Sequence, residues 1–410
     1  MTGRGRAADG RMKPVAAVAA AVTAGAIAAI TTAPWRFSGP PSWESCGICG
    51  SIGGADAVLN VLLFVPLGYL LVRAGMSWPR SVLVAVLASA AIEALQSFQP
   101  ARFATWGDLV ANTTGAAAGA AAARFGAAAA ARARRGGIAV AVMLALPGAL
   151  VLLATAWLFQ PSLPDSTYYG QWTPDLGHFG RFPGRVLDAW VGRVPVQVGR
   201  LEDNTPVRSG LAGTDPVRVM VQPAGRPPGE PSPIFSIFDG DQREVLFLGA
   251  AGDDALARVR TRAAELGFRP PFAVAPGLLA GLSLESPAVL RWSERGSAGC
   301  LGWDDREVCG IRPPLSRGWA LVLPVRAGSG ASLADGIWLA LLFAPLGCGG
   351  RPADTIFGAA LLMGLAMLIP RLAPVGTVPV AAWFAAASAA LVGWLLIWAM
   401  RAGTGRGSKA

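Results

Sequence analysis

The sequence predicts an all-α polytopic membrane bundle of about eight transmembrane helices plus one all-β extracytoplasmic sandwich domain. Three observations predict it. Of 410 residues, 53% are hydrophobic and only 15% charged, whereas a soluble domain carries about 25% charged residues. Apolar runs of near-spanning length recur, separated by short turns flanked by arginine. One long stretch, residues 160–327, breaks that pattern with Pro, Gly, Trp, Asp and short strand-like runs. The formal net charge of +10 sits near helix ends and in the tails. That distribution is a topology signal and not a nucleic-acid footprint, so membrane lipids are the expected surroundings and no nucleic-acid partner is expected.

Taken in order, residues 1–13 form a basic cytoplasmic tail with Arg4, Arg6, Arg11 and Lys13. Residues 14–33 are an Ala/Val/Ile run of spanning length. A cleaved signal peptide is the other reading of that run, but its apolar core would be shorter, so a retained helix is favoured. Further spans are expected at about 56–73, 81–98, 108–123 and 138–159, closing a five-helix membrane region over 14–159. Arg73, Arg80 and the Arg124–Arg135 cluster mark its cytoplasmic turns. In the stretch 160–327, PIFSIFDGDQREVLFLGA reads as two strands around a polar turn, and VRVMVQP and WALVLPV read as further strands. Residues 328–400 hold three more spans, at about 335–349, 355–371 and 379–400, before a cytoplasmic tail at 401–410. With eight spans both tails fall inside and the β domain outside. Arg371 alone lies on the wrong side of that scheme.

Cysteine use points the same way. Cys46 and Cys49 fall outside, as do Cys300 and Cys309, while Cys348 falls at a cytoplasmic end. External pairs and an internal singleton are what disulfides restricted to an oxidising compartment would leave. Cys300–Cys309 and Cys46–Cys49 are therefore the expected pairs. His178 is the sole histidine, which excludes His-based triads and multi-His metal centres. No metal and no cofactor is expected.

The stretch Asp56–Gly119 organises the chain. Its apolar segments carry Asp56, Asn60, Glu93, Gln96, Asp108 and Asn112, and the loop between the third and fourth spans carries Arg102. Ionisable and amide groups at membrane depth are costly, so they mark functional sites or packing devices. Asp56 and Asn60 are four apart, Glu93 and Gln96 three apart, and Asp108, Asn112, Gly115 and Gly119 follow the same helical spacing. At 1.5 Å per residue, Glu93 and Asn112 each lie roughly 6–8 Å inside the outer boundary, so the topology gathers all seven groups at one level. Glu93 and Asp108 are acid–base candidates, with Arg102 able to neutralise a carboxylate or hold an anion. The plain alternative is that Asp56 and Asp108 are helix caps. Gly115 and Gly119 form a small-xxx-small pair for close helix approach. A second copy of the opening motif occurs downstream: ADAVLNVLLFVPLG at Ala55–Gly68 and ADGIWLALLFAPLG at Ala334–Gly347. Leu339 replaces Asn60 there, and nothing after it repeats Glu93, Gln96 or Asp108.

The run Asp56, Asn60, Phe64, Pro66-Leu67-Gly68, then Ile92-Glu93, Gln96, Arg102, Asp108-Leu109, Asn112 and Gly115 resembles the VanZ-like family over about residues 55–124. That resemblance implies a small bacterial multi-pass membrane domain with an envelope role. Its founding type is associated with low-level resistance to the glycopeptide teicoplanin. The strand pattern around Phe235–Leu248 resembles concanavalin-like, laminin-G-type jelly rolls, which implies a carbohydrate-binding fold.

Three functions follow as expectations. The protein binds or senses a cell-wall glycan or glycolipid, with Trp172, Trp190 or Trp303 stacking on sugar faces. It is an enzyme acting on a lipid-linked sugar or phosphate through Glu93 and Asp108. Or it is a lipid or glycolipid transporter built from two degenerate halves, a reading weakened by the missing polar set in the second half.

Overall fold

The computed structural model describes residues 13–33, 43–44, 53–99, 104–133, 135–177, 179–212, 215–284, 286–295, 298–323, 329–348 and 351–404. Arg102, Cys46, Cys49 and His178 lie outside them. The chain divides into two compact units, residues 1–135 with 266–268, and residues 136–265 with 269–410.

The first unit contains helices α1 (Pro14–Thr32), α2 (Gly53–Arg73), α3 (Trp78–Gln96) and α4 (Trp106–Ala133). Two short strands, β1 (Trp43–Glu44) and β2 (Ala104–Thr105), pair in parallel, with Glu44 opposite Thr105. Pro14 and Pro79 occupy first-turn positions, where a missing N–H costs nothing. Ile27 of α1 packs with Phe64 and Leu67 of α2, Ile92 of α3 and Ala116 of α4, so α1 is an integral part of this bundle. The closest pairing is α2 with α4. A Cβ on Gly115 would strike the Val61 carbonyl, one on Gly119 the Val65 carbonyl, and one on Gly68 the Ala116 backbone. The small residues of α4 thus meet the Pro-Leu-Gly segment of α2 backbone to backbone.

The second unit begins with α5 (Ile138–Leu158) and continues into two six-stranded antiparallel sheets. Its strands are β3 (Tyr168–Trp172), β4 (Gly184–Val191), β5 (Val194–Pro195), β6 (Gly199–Arg200), β7 (Val217–Pro223), β8 (Ser232–Asp239), β9 (Glu244–Ala251), β10 (Asp254–Val259), β11 (Ala273–Ala275), β12 (Ala288–Arg295), β13 (Ala298–Trp303) and β14 (Arg306–Cys309). Short helices α6 (Thr205–Ala212) and α7 (Arg262–Glu265) lie between them. One sheet runs β11-β10-β9-β8-β3-β6, the other β14-β13-β12-β7-β4-β5. A single core joins their inner faces, with Tyr168, Phe235, Ile237, Leu246 and Leu248 from the first and Val186, Val219, Leu290, Trp292, Leu301 and Trp303 from the second. The expected hairpin is present: β8 and β9 pair around the turn that holds Asp239, Gly240 and Asp241. VRVMVQP forms β7. WALVLPV does not form a strand. Its described part lies in or just after a 3-10 turn, Leu315–Leu321, because the Trp319 indole N–H is drawn to the buried carboxylate of Asp335, 2.8 Å away.

Cys300 and Cys309 form a disulfide between directly opposed positions of β13 and β14. Tyr168, fully buried in the sandwich, donates its hydroxyl to the Pro164 carbonyl at 2.9 Å. Burial, ahead of its neighbouring charges, pushes that phenol up to about 12 from the usual 10. Because the folded value is raised, the stabilisation is complete below pH 10 and is lost as pH climbs through 12. A phenolate absorbance titration should therefore show a tyrosine ionising near pH 12, in step with loss of the sandwich.

The chain closes with α8 (Ser329–Phe343), a 3-10 turn (Ala344–Cys348), α9 (Pro352–Leu372) and α10 (Val380–Thr404). Among the described residues, five helices, α1, α2, α3, α5 and α9, are long and apolar enough to cross a membrane, with shorter apolar segments at Ala331–Gly347 and Val380–Leu395. The expected count was about eight. Helix α4 has the length, but its Ala and Gly content makes it only weakly apolar; α8 gives way to the 3-10 turn before reaching full length. Large apolar side chains such as Leu62, Leu83, Val110, Leu150, Ile356 and Phe384 point outward, as helices bathed in hydrocarbon require. The sequence echo also has a structural counterpart. Gly347 meets the backbone of Gly393 and Trp394 on α10 as Gly68 meets α4, although α2 passes through Pro66 as one helix while α8 ends just before Pro345.

Candidate functional site

The first unit places most of the expected polar residues at one end of its bundle, where α1 and α3 finish and α2 and α4 begin. Thr105 is the hub. It is the residue preceding α4, and its hydroxyl accepts the backbone N–H of Asp108 at 3.0 Å while lying 2.9 Å from Asp108 Oδ2. Those two contacts make a helix cap of the Thr-x-x-acid type. In the usual box the acid would also take the cap residue's own N–H. Here that N–H donates instead to Glu93 Oε2 on α3, at 3.1 Å. The other oxygen of Asp108 accepts Asn60 Nδ2 from α2 at 2.5 Å. One carboxylate therefore ties α2 to α4, and a second ties α3 to the start of α4.

A second rung lies one turn deeper. Asn112, four residues beyond Asp108, donates Nδ2 to the hydroxyl of Ser89, four residues before Glu93, at 2.9 Å. Glu93, Asn112 and Ser89 are all at least 97% buried. Among the described residues the Asn112 carbonyl oxygen has no hydrogen-bond partner, an expensive state for a buried acceptor. Gln96 does not join this group. Its amide donates to the Thr31 carbonyl at the end of α1, 2.8 Å away, and Gln99 donates likewise to Thr32 at 2.6 Å. Asp56 lies half-buried in the first turn of α2.

Sequence reasoning missed Thr105, Ser89 and Gln99. A signal existed for two of them. Thr105 stands three residues before Asp108, the cap-box spacing, and Ser89 stands one turn from Glu93 on the same face. In the sandwich, Trp303 is buried in the core, so the expectation that it is exposed for sugar stacking is corrected: alternation along β13 points it inward. Trp172 packs against the same core and donates its indole N–H to the Val196 carbonyl at 3.2 Å, while Trp190 is partly buried with the Arg218 guanidinium 5.8 Å from its ring. The outer surface of β9 is covered as well, by Phe247 packed with Phe179 and Phe272 and by Arg258 stacked on Phe272 at 4.2 Å.

In the second unit, Asp335 occupies the place of Asp56 in the repeated motif. It is fully buried and bound by Arg317 at 2.8 Å and Trp319 at 2.8 Å. Leu339, at the place of Asn60, is fully buried and apolar.

Apolar helices with buried carboxylates and amides at one end, followed by an all-β region, define an integral membrane protein. Residues 14–127 match the family model VanZ/LLP1, so the chain carries a VanZ/LLP1 domain there. The match begins at α1, ahead of the motif-bearing stretch, in keeping with the α1 carbonyls that receive Gln96 and Gln99. No curated protein and no solved structure matches the chain.

Proposed function

We propose that this VanZ-like membrane protein of the cell envelope binds the polar headgroup of a glycolipid at the Asn60–Glu93–Thr105–Asp108 cluster. The observation that carries the reading is the buried carbonyl oxygen of Asn112, unpartnered among the described residues, beneath two carboxylates. Such a group is an acceptor awaiting a donor, and sugar hydroxyls and ammonium groups are donors. Glu93 and Asp108 would add charge-assisted hydrogen bonds to the same donors, and Arg102 is proposed to hold an anionic linkage.

The orientation proposed with it has both tails in the cytoplasm and the sandwich outside. Arginines concentrated at Arg73, Arg80 and Arg124–Arg135 support it, as does the Cys300–Cys309 bridge, since disulfides persist in oxidising compartments. A link to glycopeptide tolerance would follow if the glycolipid were a cell-wall precursor.

The test is native mass spectrometry of the full-length protein incubated with an envelope lipid extract. A glycolipid adduct is expected, weakened about tenfold or more in Glu93→Gln and Asn112→Leu, since each loses a buried hydrogen bond to a polar ligand. Equal adducts in wild type and both variants would sink the reading. Asp108→Asn is a poorer probe, because it also disturbs the α4 cap.

A further inference from the structure

A separate cavity lies at the base of the sandwich, within the second unit. Its walls include Phe159, which follows the last residue of α5, and Pro374, just beyond the end of α9. Both helices are long and apolar enough to span a membrane. Their C-terminal ends line one cleft, which places it at the level where hydrocarbon gives way to headgroups. The rest of its wall is mostly proline and apolar strand residues, with Arg258, Thr261, Glu294 and Arg312 among them.

These groups are not all consumed by each other. Arg258 is held by both oxygens of Glu244, at 2.7 and 2.9 Å. Arg312, 92% buried, sets Nη2 2.7 Å from Glu294 Oε2. A guanidinium carries five N–H donors, more than one carboxylate contact employs. The Thr261 hydroxyl is buried and, among the described residues, has no hydrogen-bond partner. Each arginine thus has one carboxylate, Arg258 that of Glu244 and Arg312 that of Glu294, so what the lining offers an oxyanion is the remaining guanidinium N–H groups and the Thr261 hydroxyl and not a net charge. The cavity volume is about 60 Å³, against the roughly 10–15 Å³ needed by one water. That is room for a group of phosphate size.

We propose that this cavity holds the phosphate of an anionic membrane lipid, with Thr261 and Arg312 as its donors. Phe159 and Pro374 would lie against the first carbons of the tails. The chemistry combines an oxyanion, hydrogen-bond donors on one side and an apolar exit toward two membrane-level helix ends. A soluble phosphate would satisfy the donors but leave the apolar exit unused. Glu294 opposes the ligand and tunes its affinity. This inference does not rest on the reading of the helical cluster, and its variants leave that cluster untouched.

The experiment is native mass spectrometry of the full-length protein, delipidated in detergent. It is titrated separately with phosphatidylglycerol, phosphatidylcholine and inorganic phosphate. Retention of phosphatidylglycerol over phosphatidylcholine is expected, reduced about tenfold in Thr261→Val, which keeps the side-chain shape and removes one hydrogen bond to a charged ligand. Glu294→Gln is expected to raise retention severalfold by removing the opposing charge. Thr261→Val should melt no lower than wild type, since it deletes an unpartnered buried hydroxyl, so a loss of retention cannot be ascribed to unfolding. Equal retention of both lipids, or retention unchanged in Thr261→Val, would overturn the proposal. Phosphate binding that depends on Thr261 without any lipid selectivity would also overturn it, by moving the ligand to the soluble anion.

Discussion

Replacing Arg260 with methionine is expected to cost the sandwich about 3–5 kcal/mol, the usual consequence of breaking a buried ion pair from one side. Arg260 Nη1 lies 2.6 Å from Asp239 Oδ2, and the two residues are only 5% and 3% exposed. Asp239 also organises the turn between β8 and β9. Its Oδ1 accepts the backbone N–H groups of Asp241 at 3.0 Å and Arg243 at 2.8 Å, and Gln242 between them adopts a positive φ of 58°. Without Arg260, a carboxylate remains buried with no counter-charge, at the head of the central hairpin. Urea unfolding of the purified full-length protein, followed by tryptophan fluorescence, would register the loss. The double variant Arg260→Met with Asp239→Asn should recover more than half, because the amide oxygen still accepts both turn N–H groups and carries no charge. An undiminished loss in the double variant would show that packing of the Arg260 stem, and not the ion pair, is what matters.

Gly119→Val in α4 is expected to be comparably damaging, by about 3 kcal/mol or more, the upper end of what overpacking costs. A Cβ at that position falls on the Val65 carbonyl and beside the Tyr69 backbone nitrogen. Neither is a side chain that can rotate away, so α2 and α4 must separate. That separation would also pull Asn60 from Asp108. Gly126→Val supplies the control, since nothing lies within 4 Å of its Cβ position. Protease protection of the full-length protein in membranes should fall for Gly119→Val and hold for Gly126→Val. If both variants fell together, the cause would be the helix preference of valine and not the contact with α2.

Much of this architecture was readable before any coordinates. The spacing of Gly115 and Gly119 announced a close helix partner, and α2 is that partner. The alternation on either side of Asp239–Asp241 announced β8 and β9. The Cys300 and Cys309 pairing followed from counting cysteines against the expected compartments. Each of these signals is local: it depends on neighbours three, four or two residues apart, or on composition.

What composition and spacing determined was the class of protein, the position of its apolar helices, the paired strands of the sandwich and the level at which Glu93, Asp108 and Asn112 would gather. Which groups touch was decided only in three dimensions. Gln96 shares a face with Glu93 yet reaches Thr31, because α1 ends beside it. The Thr105 N–H forgoes its own capping box for Glu93, because α3 finishes within 3.1 Å of it. The stretch beginning at Trp319 looked like a strand until Asp335 claimed its indole. A helix's pattern sets which residues lie on one face, but hydrogen bonds form between faces. The rotation and approach of neighbouring helices, set here by glycine contacts and buried carboxylates, have no period along the chain.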